Sequence, residues 1–281
     1  MIATDTKPTE SMKKTSEAQP GVPSQQVEAF VLAGARASGD ALAEAHHVPS
    51  KAHIEIAGKS MISRVLGALS QSAQTEEITI IGLQDQETLQ QKDAWPPVSF
   101  AQGDEGPAAS VFGVLEARSG AEPVLVTTCD HALLSPAIID AFLAQSLKSD
   151  ADLTVALAHR DTIEAQHPET KRTYLRFGDG EYSSCNLFCI ATPKARQVVE
   201  FWRDAEKDRK RPWRIAWRFG VVTALRLLIG RPALDHAFAI LSQRLGVTIR
   251  HVVLPFAEAA IDVDTEKDLA MVEQILIERT E

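Results

Sequence analysis

Residues 123–146, PVLVTTCDHALLSPAIIDAFLAQS, read as a strand, a loop and a helix in direct succession. The short apolar run at 123–127 suits a buried strand. Ser135 is placed to cap a helix and Pro136 to occupy its first turn, where its missing N–H costs nothing, so a helix is predicted over 135–146. Asp130 lies between the two, one or two residues past the strand. The same alternation extends outward in both directions. QVEAFVL at 26–32 and EITIIGL at 77–83 read as strands, and Ile62, Val65, Leu66 and Leu69 have the spacing of a helix over 61–71. A helix at 108–118 and a strand at 152–158 follow, and runs at 173–177 and 186–190 flank Gly178-Asp179-Gly180 like a hairpin. Alternating elements of this kind predict an α/β protein with a three-layer, mostly parallel, Rossmann-like sheet covered by helices.

Composition removes several alternatives. The chain has 281 residues, 44% hydrophobic and 24% charged, which is the make-up of a globular protein. Lys plus Arg number 29 against 38 Asp plus Glu, a formal charge of −9, so general nucleic-acid binding is not expected. Three cysteines are too few for a disulfide framework or a four-ligand zinc site. Residues 1–24 are rich in Thr, Ser, Lys, Glu and Pro without an apolar core, and read as a disordered N-terminal tail preceding one domain over 25–281. The longest apolar stretch, 219–229, contains Arg226 and falls short of the roughly 20 residues that span a bilayer. A cytoplasmic location is expected.

One segment departs from the acidic average. Residues 201–231, FWRDAEKDRKRPWRIAWRFGVVTALRLLIGR, hold nine Lys or Arg against three acids, a local charge of +6. Arg211, Arg214 and Arg218 share a helical face with Trp213 and Trp217 beside them. This reads as a basic, Trp-rich helical insertion at about 195–245. Two roles stay open for it: a helical subdomain with solvated arginines, or peripheral contact with an anionic membrane at its inner face.

In open parallel sheets ligands gather beyond the carboxyl ends of the strands. After the first strand comes AGARASG, 33–39, which is neither a Walker A loop nor GxGxxG, because Gly39 is followed by Asp40. Its backbone N–H groups could face phosphate, or the loop could simply reverse the chain. Lys51 follows after a stretch containing His46-His47, two neighbours that cannot easily share a metal. Near the C-terminus Ile261 and Val263 alternate with Asp262 and Asp264, and Thr265 opens a helix with Glu266 and Asp268 in its first turn. Carboxylates at i and i+2 of a strand end point to one side, so one could bind a metal while the other holds its water or a lysine. His131 either contacts a ligand or caps a turn.

Six segments occur in one order: LAG (32–34), PSKAHIEIAGKSMISRVLGAL (49–69), EGPAASVFGVLEA (105–117), VLVTTCDHALLSP (124–136), CNLFCI (185–190) and IDVDTEKDL (261–269). This order resembles that of the MobA-like nucleotidyltransferases, a GT-A-fold family that includes molybdenum-cofactor guanylyltransferases and sugar-phosphate pyrophosphorylases. The resemblance implies a magnesium-dependent nucleotidyltransferase. Ala33, Gly34 and Arg36 would wrap the triphosphate, Lys51 would contact phosphate, and Gly106, Pro107 and Ser110 would hold base and ribose. Asp130 is similar to the metal-binding Asp of the family's D-x-P-L segment, with His131-Ala132-Leu133 in place of x-Pro-Leu, and Asp264 to the second Mg²⁺ ligand. Asn186, with Arg172 and Tyr174, is assigned to the acceptor. The chain departs from the family where Ala35 replaces a glycine, where Gly39 replaces an arginine, and in an insertion over 40–49. The implied partners are a nucleoside triphosphate, with CTP favoured by the small residues of 106–111, and a small phosphorylated or lipid-precursor acceptor. A GT-A glycosyltransferase or a non-catalytic nucleotide-binding protein remain the alternatives.

Overall fold

The structure, a computed structural model, describes residues 26–35, 39–118, 123–208 and 231–279. The chain opens with β1 (Val27–Leu32), whose side chains part to opposite faces as the pleat requires. Val27, Ala29 and Val31 join one buried cluster. Phe30 joins the cluster on the other face.

A loop and the short helix α1 (Ala41–Ala45) lead to a two-stranded ribbon, β2 (Glu55–Ile56) and β3 (Lys59–Ser60), and then to α2 (Met61–Gln71). The predicted 61–71 helix is thus found with those bounds, its Ile62, Leu66 and Leu69 packed on the sheet. β4 (Thr75–Ile81) starts two residues before its predicted position and stops at Gly82, whose φ of +80° turns the chain out of the strand. Next come α3 (Gln86–Lys92), β5 (Ser99–Ala101), α4 (Pro107–Ala117) and β6 (Val124–Thr128). In α5 (Pro136–Ser146) Ser135 caps the helix and Pro136 begins it, as its sequence predicts. The remainder is β7 (Leu153–His159), α6 (Arg160–Gln166), the hairpin β8 (Leu175–Phe177) and β9 (Gly180–Ile190), α7 (Arg196–Lys207), α8 (Leu234–Leu245), β10 (Ile249–Leu254) and α9 (Glu266–Glu278).

The sheet runs β10-β7-β9-β6-β1-β4-β5, with β8 paired to β9. β9 is antiparallel to both neighbours, while β10–β7, β6–β1, β1–β4 and β4–β5 are parallel pairs. Six strands therefore end on one edge, and that edge carries the site. α2 and α5 cover one face, through Leu66, Leu69, Ile138 and Phe142. α4, α7 and α8 supply Leu115, Val199 and Phe238 to the other. This is the predicted α/β, three-layer, mostly parallel architecture. A third cluster of Leu42, Ile54, Ile56, Met61, Leu133, Ile261, Val263 and Leu269 gathers the segments around the carboxyl edge.

Of the basic insertion, α7 and α8 are the described flanks. Arg211, Trp213, Arg214, Trp217 and Arg218 lie outside the described residues, as do residues 1–25 and Arg36. Among the described residues no helix is long and apolar enough to cross a membrane.

Candidate active site

Each element that brings a residue to the site does so for a local reason. β6 ends at Thr128, so Asp130 stands just over the sheet edge, and the Thr128 hydroxyl donates to its Oδ1 at 2.6 Å. The C-terminal segment is stitched beside it, since Val263 N–H donates to the Asp130 carbonyl at 3.0 Å. Ile261 and Val263 are fully buried, which turns the intervening Asp262 and the following Asp264 away from the core. Thr265 then caps α9 in a reciprocal capping box with Asp268.

Lys51 sits at the focus. It lies in a short 3₁₀ turn held by Ile54 beneath, and its side chain is only 10% exposed. Its ammonium donates to Asp264 Oδ1, with Asp130 Oδ2 at 3.6 Å and Asp40 Oδ2 at 3.7 Å. Burial works against its charge, but the fields of Asp130, Asp264 and Asp40 outweigh that and hold its pKa above the ordinary lysine value. The structure thus brings Lys51, Asp130 and Asp264 together, and adds Asp40, which the motif comparison treats only as part of an insertion. Asp40 caps α1 through Oδ1, accepting from Leu42 N–H at 3.1 Å and Ala43 N–H at 3.2 Å. An Asp ahead of an apolar stretch is a capping signal readable from sequence; its approach to Lys51 is not.

Asp262 and Asp264 part company. Asp264 turns to Lys51, whereas Asp262 accepts from Arg172, and from Asn186 Nδ2 at 3.2 Å. The expected common side is lost because this segment is irregular and not a strand. Arg172, 7% exposed, also donates to the Asp262 carbonyl at 3.0 Å and to Asp268 Oδ1 at 2.7 Å. Its guanidinium is fully engaged as a clamp between two carboxylates. Asn186 reaches Asp262 from a bulge in β9, where the register against β7 shifts and its φ is +49°. Asparagine adopts this left-handed conformation more readily than most side chains, which suits it to a bulge position. A cavity of about 390 Å³ opens here, lined by Lys171, Arg172, Thr173, Ser183, Ser184, Asn186, Asp262 and Asp264 among others. Tyr174 is not among the residues lining it; its ring lies under the Arg160 guanidinium at 5.3 Å.

On the opposite side, Ala33 continues the β1–β4 ladder, its N–H donating to Ile81 O at 2.9 Å, while Gly34 is exposed. Gly34, Gly82 and Gly103 stack at the ends of β1, β4 and β5. A Cβ on Gly82 would lie 3.0 Å from the Gly34 Cα, and one on Gly103 2.9 Å from the Gly82 Cα. Glycine is required at 82 and 103 for this backbone approach, whereas a Cβ on Gly34 would meet nothing closer than 3.8 Å. Gly82 directly follows β4 and Gly103 lies two residues past β5, so the strand-end rule marks them even though no motif does. Gly106 precedes α4, where a Cβ would come within 2.6 Å of Glu206 Oε2, and Glu206 accepts from Ala108 N–H at 3.2 Å. Ser110 Oγ accepts from Asp104 N–H at 2.8 Å, and Pro107 starts the helix.

The two histidine expectations resolve differently. His46 Nε2 lies 3.1 Å from Glu266 Oε1, pinning α1 to the start of α9. His131 is 1% exposed and so does not face solvent. Burial pushes its pKa down to about 4, against the pull of Asp262. An unfolded histidine takes its proton near pH 6.5 and this one resists until about 4, so stability contributed by the neutral ring is expected to be lost as pH falls through that window. Urea unfolding at pH 7 and pH 5 checks this: His131→Leu should show a smaller loss between the two than the parent chain, and equal losses would count against it.

Carboxylates and a lysine thus converge on the carboxyl edge of a Rossmann-like sheet. The chain belongs to the MobA-like NTP transferase domain family, whose model matches residues 29–206. A hypothetical transferase from Thermus thermophilus is similar at 30% identity and a TM-score of 0.72, over 87% of this chain and 100% of that one. The 4-diphosphocytidyl-2C-methyl-D-erythritol synthase of Anaerococcus prevotii (13% identity, 90% of this chain and 97% of that, TM-score 0.55) shares the fold. So does a CMP:2-keto-3-deoxy-manno-octonic acid synthetase complexed with CTP (14%, 91% and 100%, TM-score 0.54). No curated protein sequence matches the chain.

Proposed function

We propose that this protein transfers a nucleoside monophosphate from a nucleoside triphosphate, CTP in preference, to a small phosphorylated or lipid-precursor acceptor, releasing pyrophosphate. The observation that carries the reading is the convergence of Asp130 and Asp264 on the ammonium of Lys51 at the sheet edge.

The donor set suits Mg²⁺. Two carboxylates already share one cation, and magnesium is ordinarily bound by one or two carboxylates together with substrate phosphates and water. Among the described residues no group of three or more His, Cys, Asp or Glu could hold a metal alone, so the phosphates would complete the set. Asp130 and Asp264 would hold the ion, which when bound neutralises charge on the phosphates. Lys51 adds a second positive charge in a site where burial strengthens it, and loop amides after β1 position the triphosphate. Arg172 keeps Asp262 and Asp268 in place at the edge of the cavity where the acceptor would enter, and Asn186 fixes Asp262 from the other side. A phosphate oxygen of the acceptor attacks the α-phosphorus in line. It is deprotonated at neutral pH, so the site needs no general base, and positioning and charge neutralisation carry the rate.

CTP is favoured because the 106–111 segment has the small-residue character of cytidylyltransferases, and two structural neighbours are named for cytidylyl products or bound CTP. CTP is expected to raise the melting temperature more than GTP at equal concentration, since stabilisation follows affinity for the native state. Four nucleoside triphosphates screened against phosphorylated alcohols and sugars with a pyrophosphate readout provide the functional test. Release of nucleoside diphosphate from a nucleotide sugar would make the protein a glycosyltransferase instead, and nucleotide binding without turnover would make it a sensor.

A further inference from the structure

Asp40 is the one member of the carboxylate group around Lys51 that comes from the inserted stretch. It is bound at both oxygens: Oδ1 caps α1 at Leu42 and Ala43, and Oδ2 faces the Lys51 ammonium at 3.7 Å. Its side chain is 14% exposed, well within the site. The helix it caps is anchored at two further points. Leu42 is 4% exposed and packs in the cluster with Leu133, Ile261 and Val263, the apolar residues that follow Asp130 and flank Asp262. His46 at the far end of α1 meets Glu266. The insertion is therefore wired to both carboxylate-bearing segments and to the lysine.

Resting on the nucleotidyltransferase reading, we propose that Asp40 is a positioning residue: a counter-ion on α1 that holds Lys51 until triphosphate arrives and that the phosphates must displace. Were Asp130 and Asp264 to hold a divalent cation, they would no longer balance the ammonium, and Asp40 would be the carboxylate left to pair with Lys51. The phosphates and Asp40 compete for Lys51. Nucleotide binding thereby loosens α1 from the lysine, so the insertion couples site occupancy to the segment packed on α9.

Asparagine separates the two duties of this residue. Its side-chain oxygen caps a helix as well as aspartate does, but it carries no charge to set against the lysine. Calorimetric titration of CTP and of GTP, each with Mg²⁺, is to be compared with thermal melts for the parent chain, Asp40→Asn, Asp40→Ala, Lys51→Met and the Asp40→Asn/Lys51→Met double variant. Asp40→Asn should melt with the parent and bind CTP about 3- to 10-fold more tightly, because one competing negative charge is gone. Asp40→Ala should melt lower. In the Lys51→Met background the gain from Asp40→Asn should shrink to less than half in fold terms. Unchanged or weaker binding by Asp40→Asn would leave Asp40 as a helix cap and overturn the proposal. An equal gain in the Lys51→Met background would overturn it too, by showing direct repulsion of the nucleotide. If the parent chain binds neither nucleotide, the nucleotidyltransferase reading itself fails and Asp40 loses its role with it.

Discussion

Asp130→Ala and Asp264→Ala are each expected to lower the rate of pyrophosphate release by roughly 100- to 1000-fold, the effect usual for removing one preorganised electrostatic group from a transition state. Neither change should unfold the protein. The backbone at Asp130 is held by its own carbonyl, which accepts from Val263, and by the burial of Ala132 and Leu133 after it. Asp264 has a side chain 49% exposed, and the neighbouring turn is fixed by the Thr265–Asp268 capping box. The two losses should be far from additive, because both carboxylates serve one cationic centre. Single-turnover assays alongside melting curves separate loss of chemistry from loss of fold. A double variant that still transfers nucleotide would end the proposed mechanism.

Arg172→Ala is expected to act on stability, by about 3 kcal/mol, since removing one partner of a buried ion pair leaves the other charge uncompensated. Arg172 donates from both terminal nitrogens to Asp262 and Asp268, and from Nε to Thr170 Oγ1 at 3.2 Å. Asp262 is already pushed above the ordinary carboxylate range, first by burial and then by the nearby charge of Asp130, with Arg172 as the main opposing influence. Without the guanidinium its pKa rises further. The sign follows from linkage: a carboxylate with a raised folded pKa is costly when ionised, and that cost disappears as it takes up a proton. The gap between Arg172→Ala and the parent should therefore be widest near neutral pH and should narrow as pH falls through the raised pKa of Asp262 towards the ordinary value. Adding Asp262→Asn should recover part of the loss. Urea denaturation from pH 7 to pH 4.5 measures all three. A deficit under about 1 kcal/mol, or one independent of pH, would mean that Asn186 and solvent suffice to hold Asp262.

Those two sites differ in how visible they are along the chain. Asp130 stands just past an apolar strand and ahead of a Ser-Pro helix start, so local periodicity alone marks it as a strand-end residue. Asp264 sits between a buried valine and a capping threonine, and is marked in the same way. Arg172 has no such signature. It lies in an irregular stretch, and its partners are 90 and 96 residues away.

The sequence by itself determined β1, α2, β4, α4, β6, α5, β7, the β8–β9 hairpin and α9, the caps at Ser135 and Thr265, the edge of the sheet on which the site lies, and the family resemblance. All of these depend on contacts within a few residues, on a period of 2 or 3.6, or on short motifs. Only the tertiary structure decided that Lys51 meets Asp264 from 213 residues away, with Asp40 joining it. It alone decided that Asp262 and Asp264 diverge, that Arg172 is a clamp, and that Gly34, Gly82 and Gly103 press together at three strand ends. The physical reason is the same in each case. Register between strands, and the packing of Leu42 and Val263 under the site, set where distant backbones cross, whereas a linear pattern records only which face each residue shows.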